Sequence, residues 1–126
     1  MIPPKSPPPC ILVVDDDEHS ADTLALLLHD ELGCDVEIAY DGDQALQAAI
    51  ARRPEAVVMD VDMPRMNGPE TALLLRRAYP GMAPKLLAVT AHNLQAAANE
   101  ALFDAHFRKP VPFGRLVEAL AEVAEI

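Results

Sequence analysis

A doubly wound α/β fold, (βα)5, built on a five-stranded parallel sheet, is what this sequence predicts. Three observations carry the prediction. Short, continuously apolar runs rich in branched residues occur at Cys10–Val14, Ala56–Met59 and Leu86–Val89, as strands buried on both faces of a parallel sheet require. Helical periodicity fills the intervals between them. Strands and helices that alternate five times imply right-handed crossovers in one open sheet, with ligands bound beyond the carboxyl ends of the strands.

The elements follow in order. Residues 1–9 carry five prolines and one lysine without an apolar h-region, which predicts a Pro-rich flexible leader, neither a signal peptide nor a strand. The folded domain is then expected over residues 10–126, beginning with the strand Cys10–Val14. Ala21, Leu24, Leu28 and Leu32 fall at i, i+3, i+7 and i+11, and Gly33 follows as a stop signal, so the first helix ends there. Alternation between Asp35 and Tyr40 puts Val36 and Ile38 on one side and Asp35 and Glu37 on the other, as an edge strand does. Asp41-Gly42-Asp43-Gln44 is a variant capping box, after which Ala45, Leu46, Ala49 and Ile50 predict the apolar face of a second helix.

A third helix is expected from about Gly68 to Tyr79, with Pro69 just inside its start and Pro80-Gly81 beyond its end. Leu94, Ala97, Ala98 and Ala101 mark a fourth helix; its mostly alanine face buries little surface and docks least firmly. A short fifth strand is expected at Ala105–Phe107, and Phe113, Leu116, Val117, Leu120 and Val123 repeat the helical stripe to the C-terminus.

Composition excludes several function classes. Twenty acidic against ten basic residues give a net charge of −10, which disfavours direct nucleic-acid binding because phosphate contacts need clustered Lys and Arg. No apolar run approaches the roughly 20 residues of a membrane span, so a cytoplasmic domain without membrane contact is expected. Cys10 and Cys34 have no metal-ligand spacing and read as reduced core residues. The four histidines, His19, His29, His92 and His106, likewise show no metal spacing, and with only two serines a Ser-His-Asp hydrolase has little support. His19 and His29 are expected as solvated helix residues. Met59, Met63 and Met66 read as gap-filling side chains.

The residues that end the predicted strands carry the chemistry. Asp15 and Asp16 follow strand one, Asp60 follows strand three, Thr90 follows strand four and Lys109 follows strand five. Taken singly, Thr90 reads as a strand-end hydroxyl and Lys109 as a solvated charge. Convergence on one sheet edge changes both readings. Three carboxylates in a partly dry cleft either raise a pKa or recruit a cation. Hard oxygen ligands in small number favour Mg²⁺. Phosphoryl transfer needs an in-line nucleophile and groups that neutralise charge on three equatorial oxygens. Asp60 can be that nucleophile, with a cation, the Lys109 ammonium and the Thr90 hydroxyl each meeting one oxygen.

From Cys10 onward the chain resembles the receiver domain of bacterial two-component response regulators, the CheY-like family. The resemblance rests on Ile11-Leu12-Val13-Val14-Asp15-Asp16-Asp17, on Val57 to Gly68 with Met59-Asp60-Val61-Asp62-Met63-Pro64 at its heart, on Val89-Thr90-Ala91, and on Lys109-Pro110, in family order. It implies the flavodoxin-like strand order 2-1-3-4-5. It implies that Asp60 is phosphorylated by a histidine kinase or histidine phosphotransfer protein, and that Asp15, Asp16, Asp60 and the backbone carbonyl of Asp62 hold Mg²⁺. Thr90 and Lys109 would contact the phosphoryl group, and the Lys109–Pro110 bond would be cis. Such a domain is a switch more than an enzyme, with self-catalysed phosphorylation and dephosphorylation, and it signals by conformational change. A downstream protein target is expected on the face made by the fourth helix, fifth strand and fifth helix.

Several positions depart from the family pattern. His106 replaces the aromatic residue usually found three residues before the lysine. Thr90 to Lys109 spans nineteen residues, and Leu102 stands where a glycine commonly ends the fourth helix. A short or reoriented fourth helix is therefore expected. Asp62 and His92 occupy positions that commonly set how long the phosphoryl group survives.

With no output domain read after Ile126, three modes are expected: contact with protein partners, onward relay of the phosphoryl group, or service as one domain of a larger hybrid protein. Two other functions compete. A haloacid-dehalogenase-like phosphatase also uses Asp-x-Asp after a strand, which Asp60-Val61-Asp62 superficially fits, although Met63-Pro64 replaces the expected small hydroxyl residue. A degenerate, unphosphorylated receiver acting as a binding module is the other; the complete set of Asp15, Asp16, Asp60, Thr90 and Lys109 opposes it.

Overall fold

The computed structural model describes residues 9–61, 68–78, 84–91 and 102–124. In chain order these form β1 (Cys10–Val14), α1 (Glu18–Leu32), β2 (Asp35–Ala39), α2 (Gly42–Arg52), β3 (Ala56–Asp60), α3 (Gly68–Ala78), β4 (Lys85–Thr90), β5 (Ala105–Arg108) and a C-terminal helix, α4 (Phe113–Ala124). The fourth predicted helix, around Leu94 to Ala101, lies outside the described residues, as do residues 1–8 of the expected leader. Pro9 is already tied to the body: its carbonyl accepts the Asp35 N–H at 3.0 Å.

All strand pairs are parallel, in the order β2-β1-β3-β4-β5. That is the expected doubly wound order. Successive residues of the three central strands point to opposite faces and separate the core into two layers. Ile11, Val13, Val58, Leu87 and Val89 pack with Ala21, Ala25 and Leu28 of α1 and with Leu116 and Leu120 of the C-terminal helix. Leu12, Val14, Val57, Met59, Leu86 and Ala88 pack with Ala45 and Ala49 of α2 and with Ala72 and Leu75 of α3. Residues covered on both faces explain why these strands read as unbroken apolar runs.

Local signals set the helix ends. Gly33 adopts a left-handed φ of 65° and its N–H closes on the His29 carbonyl at 2.8 Å, stopping α1. Asp41 caps α2, accepting the Gln44 N–H at 2.8 Å, while Gln44 Oε1 accepts the Tyr40 N–H at 2.9 Å. The box closes on the residue before the cap, a one-residue variant of the usual reciprocal pair. The expected α2 face needs one correction: Ala45 and Ala49 are buried and Leu46 is half-buried, but Ile50 is 64% exposed. The buried stripe runs along the i, i+4 row through Ala45 and Ala49, and Ile50 lies about 100° round from Ala49.

Cys10 and Cys34 are free and buried, and burial pushes the Cys10 thiol up to about 11. Both are inert core residues. His19 and His29 are exposed on α1, as expected, but His29 is also engaged: Nδ1 donates to the Cys34 carbonyl at 2.7 Å, beyond the helix end.

Candidate functional site

The carboxyl ends of β1, β3, β4 and β5 lie side by side, and each delivers a polar residue to one edge. Asp15 follows β1, and its N–H donates to the Ala39 carbonyl at 3.1 Å, which anchors the turn to the end of β2. Its Oδ1 accepts the Asp17 N–H at 3.0 Å, and Ser20 Oγ donates to Asp17 Oδ2 at 2.8 Å. The β1–α1 turn is therefore folded on its own side chains. Asp60 is the last residue of β3, in register with Val89, and is 6% exposed. Thr90 ends β4 at 4% exposure, and its carbonyl accepts the Lys109 N–H at 2.8 Å. The Lys109–Pro110 peptide bond is cis.

These backbone placements bring charge together. One carboxylate oxygen from each of Asp15, Asp16 and Asp60 lies within 4.8 Å of the others. Lys109 Nζ donates to Asp60 Oδ2 at 3.1 Å. A cavity of about 270 Å³ opens beside them, lined by Val13, Ser20, Leu24, Val58 and Val111 as well as by Asp15, Asp60 and Lys109. Burial pushes the Asp15 carboxyl up to about 6; the neighbouring Asp60 charge adds to the rise, while the Asp17 N–H and the Lys109 ammonium oppose it.

Among the described residues, three carboxylates gather beside the Lys109 ammonium. The cluster's donors are all hard oxygens, drawn from one buried, one half-buried and one exposed aspartate. That set fits a hard divalent cation that retains part of its water, since a closed protein cage would need more than three carboxylate ligands. Asp60 at the centre can ligate a cation through one oxygen and present the other to a reacting phosphorus.

Of the residues singled out in the sequence, Asp15, Asp16, Asp60 and Lys109 converge, and Thr90 stands beside Lys109 through the backbone. Asp62 and His92 lie outside the described residues, as do Met63 and Met66; Met59 is fully buried in the core. His106 is exposed on β5, its ring edge-on to Phe103 at a centroid distance of 6.0 Å. Leu102 is half-buried, and its carbonyl accepts from Arg76 Nε at 2.8 Å. Sequence reasoning passes over Ser20 and Val111, which line the cavity, and reads Leu24 only as part of the apolar stripe of the first helix. The helical row of Leu24 with Ser20 was a usable signal; Val111 had none, because it reaches the cavity through the turn after Lys109.

A doubly wound sheet with an acidic cluster and a lysine at its carboxyl edge fits a phosphoacceptor signalling domain. The family model described as response regulator receiver domain matches residues 11–121, so the chain belongs to the response regulator receiver family. A response regulator receiver protein of Anaeromyxobacter sp. (strain Fw109-5) is 40% identical over 102 residues, covering 78% of this chain and 41% of that protein. The response regulator MprA of Mycolicibacterium vanbaalenii is 50% identical over 44 residues, 35% of this chain and 19% of MprA. The chain thus spans less than half the length of these relatives.

Among solved structures, a CheY-like receiver domain from Methylobacillus flagellatus aligns with a TM-score of 0.81 and 28% identity, covering 91% of this chain and 98% of that one. The response regulator TrrA of Thermotoga maritima, solved in complex with Mg(2+)-BeF, aligns with a TM-score of 0.80 and 26% identity over 91% of this chain and 98% of that one. Membership sets aside the phosphatase alternative. Among the described residues no helix is long and apolar enough to cross a membrane.

Proposed function

We propose that Asp60 accepts a phosphoryl group from a phosphohistidine on a histidine kinase or phosphotransfer protein, in the cytoplasm, and that the new charge biases the domain between two surface conformations. The observation that carries this reading is the Asp60 carboxylate at the end of a central strand, clustered with Asp15 and Asp16 and 3.1 Å from Lys109 Nζ. Burial strips water from the nucleophile, and the strand fixes its direction, so little reorganisation precedes attack.

The Asp60 oxygen forms a bond to phosphorus as the phosphorus–nitrogen bond of the donor breaks, and the departing imidazole keeps the bonding pair and takes up a proton. Lys109 follows the charge onto a phosphoryl oxygen, and the Thr90 hydroxyl supplies a donor to another. Asp15, Asp16, Asp60 and the Asp62 carbonyl would hold Mg²⁺, which supplies positive charge to the developing oxyanions when bound. Complexation of TrrA with Mg(2+)-BeF supports that choice of ion for a protein of this fold. Hydrolysis of the aspartyl phosphate resets the domain, with Asp62, His92 and His106 setting its lifetime and readout. The downstream protein docks on the face of the predicted fourth helix, β5 and the C-terminal helix.

Intact mass after incubation with acetyl phosphate tests this directly. A labile gain of one phosphoryl group that needs Mg²⁺ and is lost in Asp60→Ala is the expected result. No adduct in the folded wild-type chain would overturn the reading in favour of an unphosphorylated binding module.

A further inference from the structure

We propose that Tyr40 is a positioning residue for the cation site, holding the β1–α1 turn from outside through Asp22. The inference rests on the reading of Asp15, Asp16 and Asp60 as cation ligands. The turn carrying Asp15 to Asp17 and the helix that follows it are held by two consecutive residues, Ala39 at the end of β2 and Tyr40 just beyond it. Ala39 holds its start, accepting the Asp15 N–H at 3.1 Å. Tyr40 holds the helix that follows it: its hydroxyl donates to Asp22 Oδ1 on α1 at 2.6 Å.

Tyr40 is itself fixed. Its ring packs against the core layer beneath α1, and its N–H donates to Gln44 Oε1 at 2.9 Å, locking it to the α2 capping box. A short hydroxyl-to-carboxylate bond is of the stronger kind, and here it spans 18 residues of sequence to join α1 to the residue that follows β2. Within the turn, Asp17 N–H to Asp15 Oδ1 and Ser20 Oγ to Asp17 Oδ2 transmit the position of α1 back to the ligand carboxylates. Cation affinity depends on ligand oxygens converging before the ion arrives, so loss of the tie costs affinity while leaving the ligands in place.

Calorimetric titration of the full chain with Mg²⁺ alone tests this in a double-mutant cycle. Tyr40→Phe keeps the packed ring and should raise the Kd for Mg²⁺ up to about tenfold, the upper range of one net hydrogen bond, with the melting temperature falling by no more than a few degrees. In an Asp22→Ala background the same substitution should have no further effect. Equal Kd for wild type and Tyr40→Phe, or the same weakening in both backgrounds, would overturn the inference alone. A fall in melting temperature with Kd unmoved would show a merely structural tie. Absence of saturable Mg²⁺ binding in wild type would overturn the cation assignment and this inference together.

Discussion

Lys109 Nζ lies 3.1 Å from Asp60 Oδ2, an ion pair across 49 residues that joins the end of β3 to the residue just past β5. The carboxylate side is 7% exposed and the ammonium side 38%. Asp60 is therefore desolvated and directed, while Lys109 keeps enough freedom to follow a charge that moves outward onto a phosphoryl group.

Lys109→Ala separates the two roles of positive charge at this edge. Phosphorylation by acetyl phosphate should slow about 10- to 100-fold, the loss of one oxyanion-stabilising group in a partly open site. Mg²⁺ should bind no more weakly, because a competing cation has gone. Rates from quenched intact-mass time courses, set beside calorimetric Kd values, read the two effects. Weakened Mg²⁺ binding with an unchanged phosphorylation rate would contradict this assignment of Lys109.

Asp15 predicts an unusual pH dependence. Its carboxyl is raised to about 6 by burial, against about 3.9 for an unfolded aspartate. The folded state therefore binds more protons between those values, and the Asp15 contribution to stability falls as pH rises from about 4 to 6. In metal-free buffer, Asp15→Asn should gain on wild type over that window and hold its advantage above it. Urea melts of both proteins at pH 4.5 and 7.5, with chelator present, measure the difference. An Asn variant that loses ground as pH rises would contradict the assigned direction.

Two surface positions separate conformation from burial. Gly33 has a φ of 65° and open space around an added Cβ, so Gly33→Ala should cost only the left-handed backbone penalty, about 1 kcal/mol. Ile50 is 64% exposed, and Ile50→Gln should change stability by less than about 0.5 kcal/mol. Chemical denaturation of each variant checks both values, and a large loss at Ile50 would mean that this residue is covered.

The sheet was legible because its signals are local. Strands buried on both faces must be apolar throughout, so Cys10–Val14 and Ala56–Met59 announced themselves, and Asp15 and Asp60 stood out as charges directly beyond such runs. Helix stops at Gly33 and the cap at Asp41 were legible for the same reason. Long-range pairings were not. Nothing local marks Glu55 as the acceptor of the Cys10 N–H at 2.6 Å, or Asp104 as the carboxylate that accepts the Leu86 N–H at 2.8 Å and pairs with Arg76 at 3.3 Å. The Tyr40–Asp22 tie belongs with these. Its two residues are unremarkable in sequence and become informative only once β2 is laid beside β1. Ile50 shows the reverse limit: helical period identifies an apolar stripe without saying how far round the helix the neighbouring layer covers it.

The identity of the nucleophile is the central claim, and chemical mapping tests it most directly. An aspartyl phosphate is an acyl phosphate, which borohydride reduces to homoserine. After incubation with acetyl phosphate and Mg²⁺, followed by reduction and peptide mapping by tandem mass spectrometry, homoserine should appear at position 60. Homoserine at position 15, 16 or 62 with none at 60, or a phosphoryl group retained on a histidine, would contradict the account.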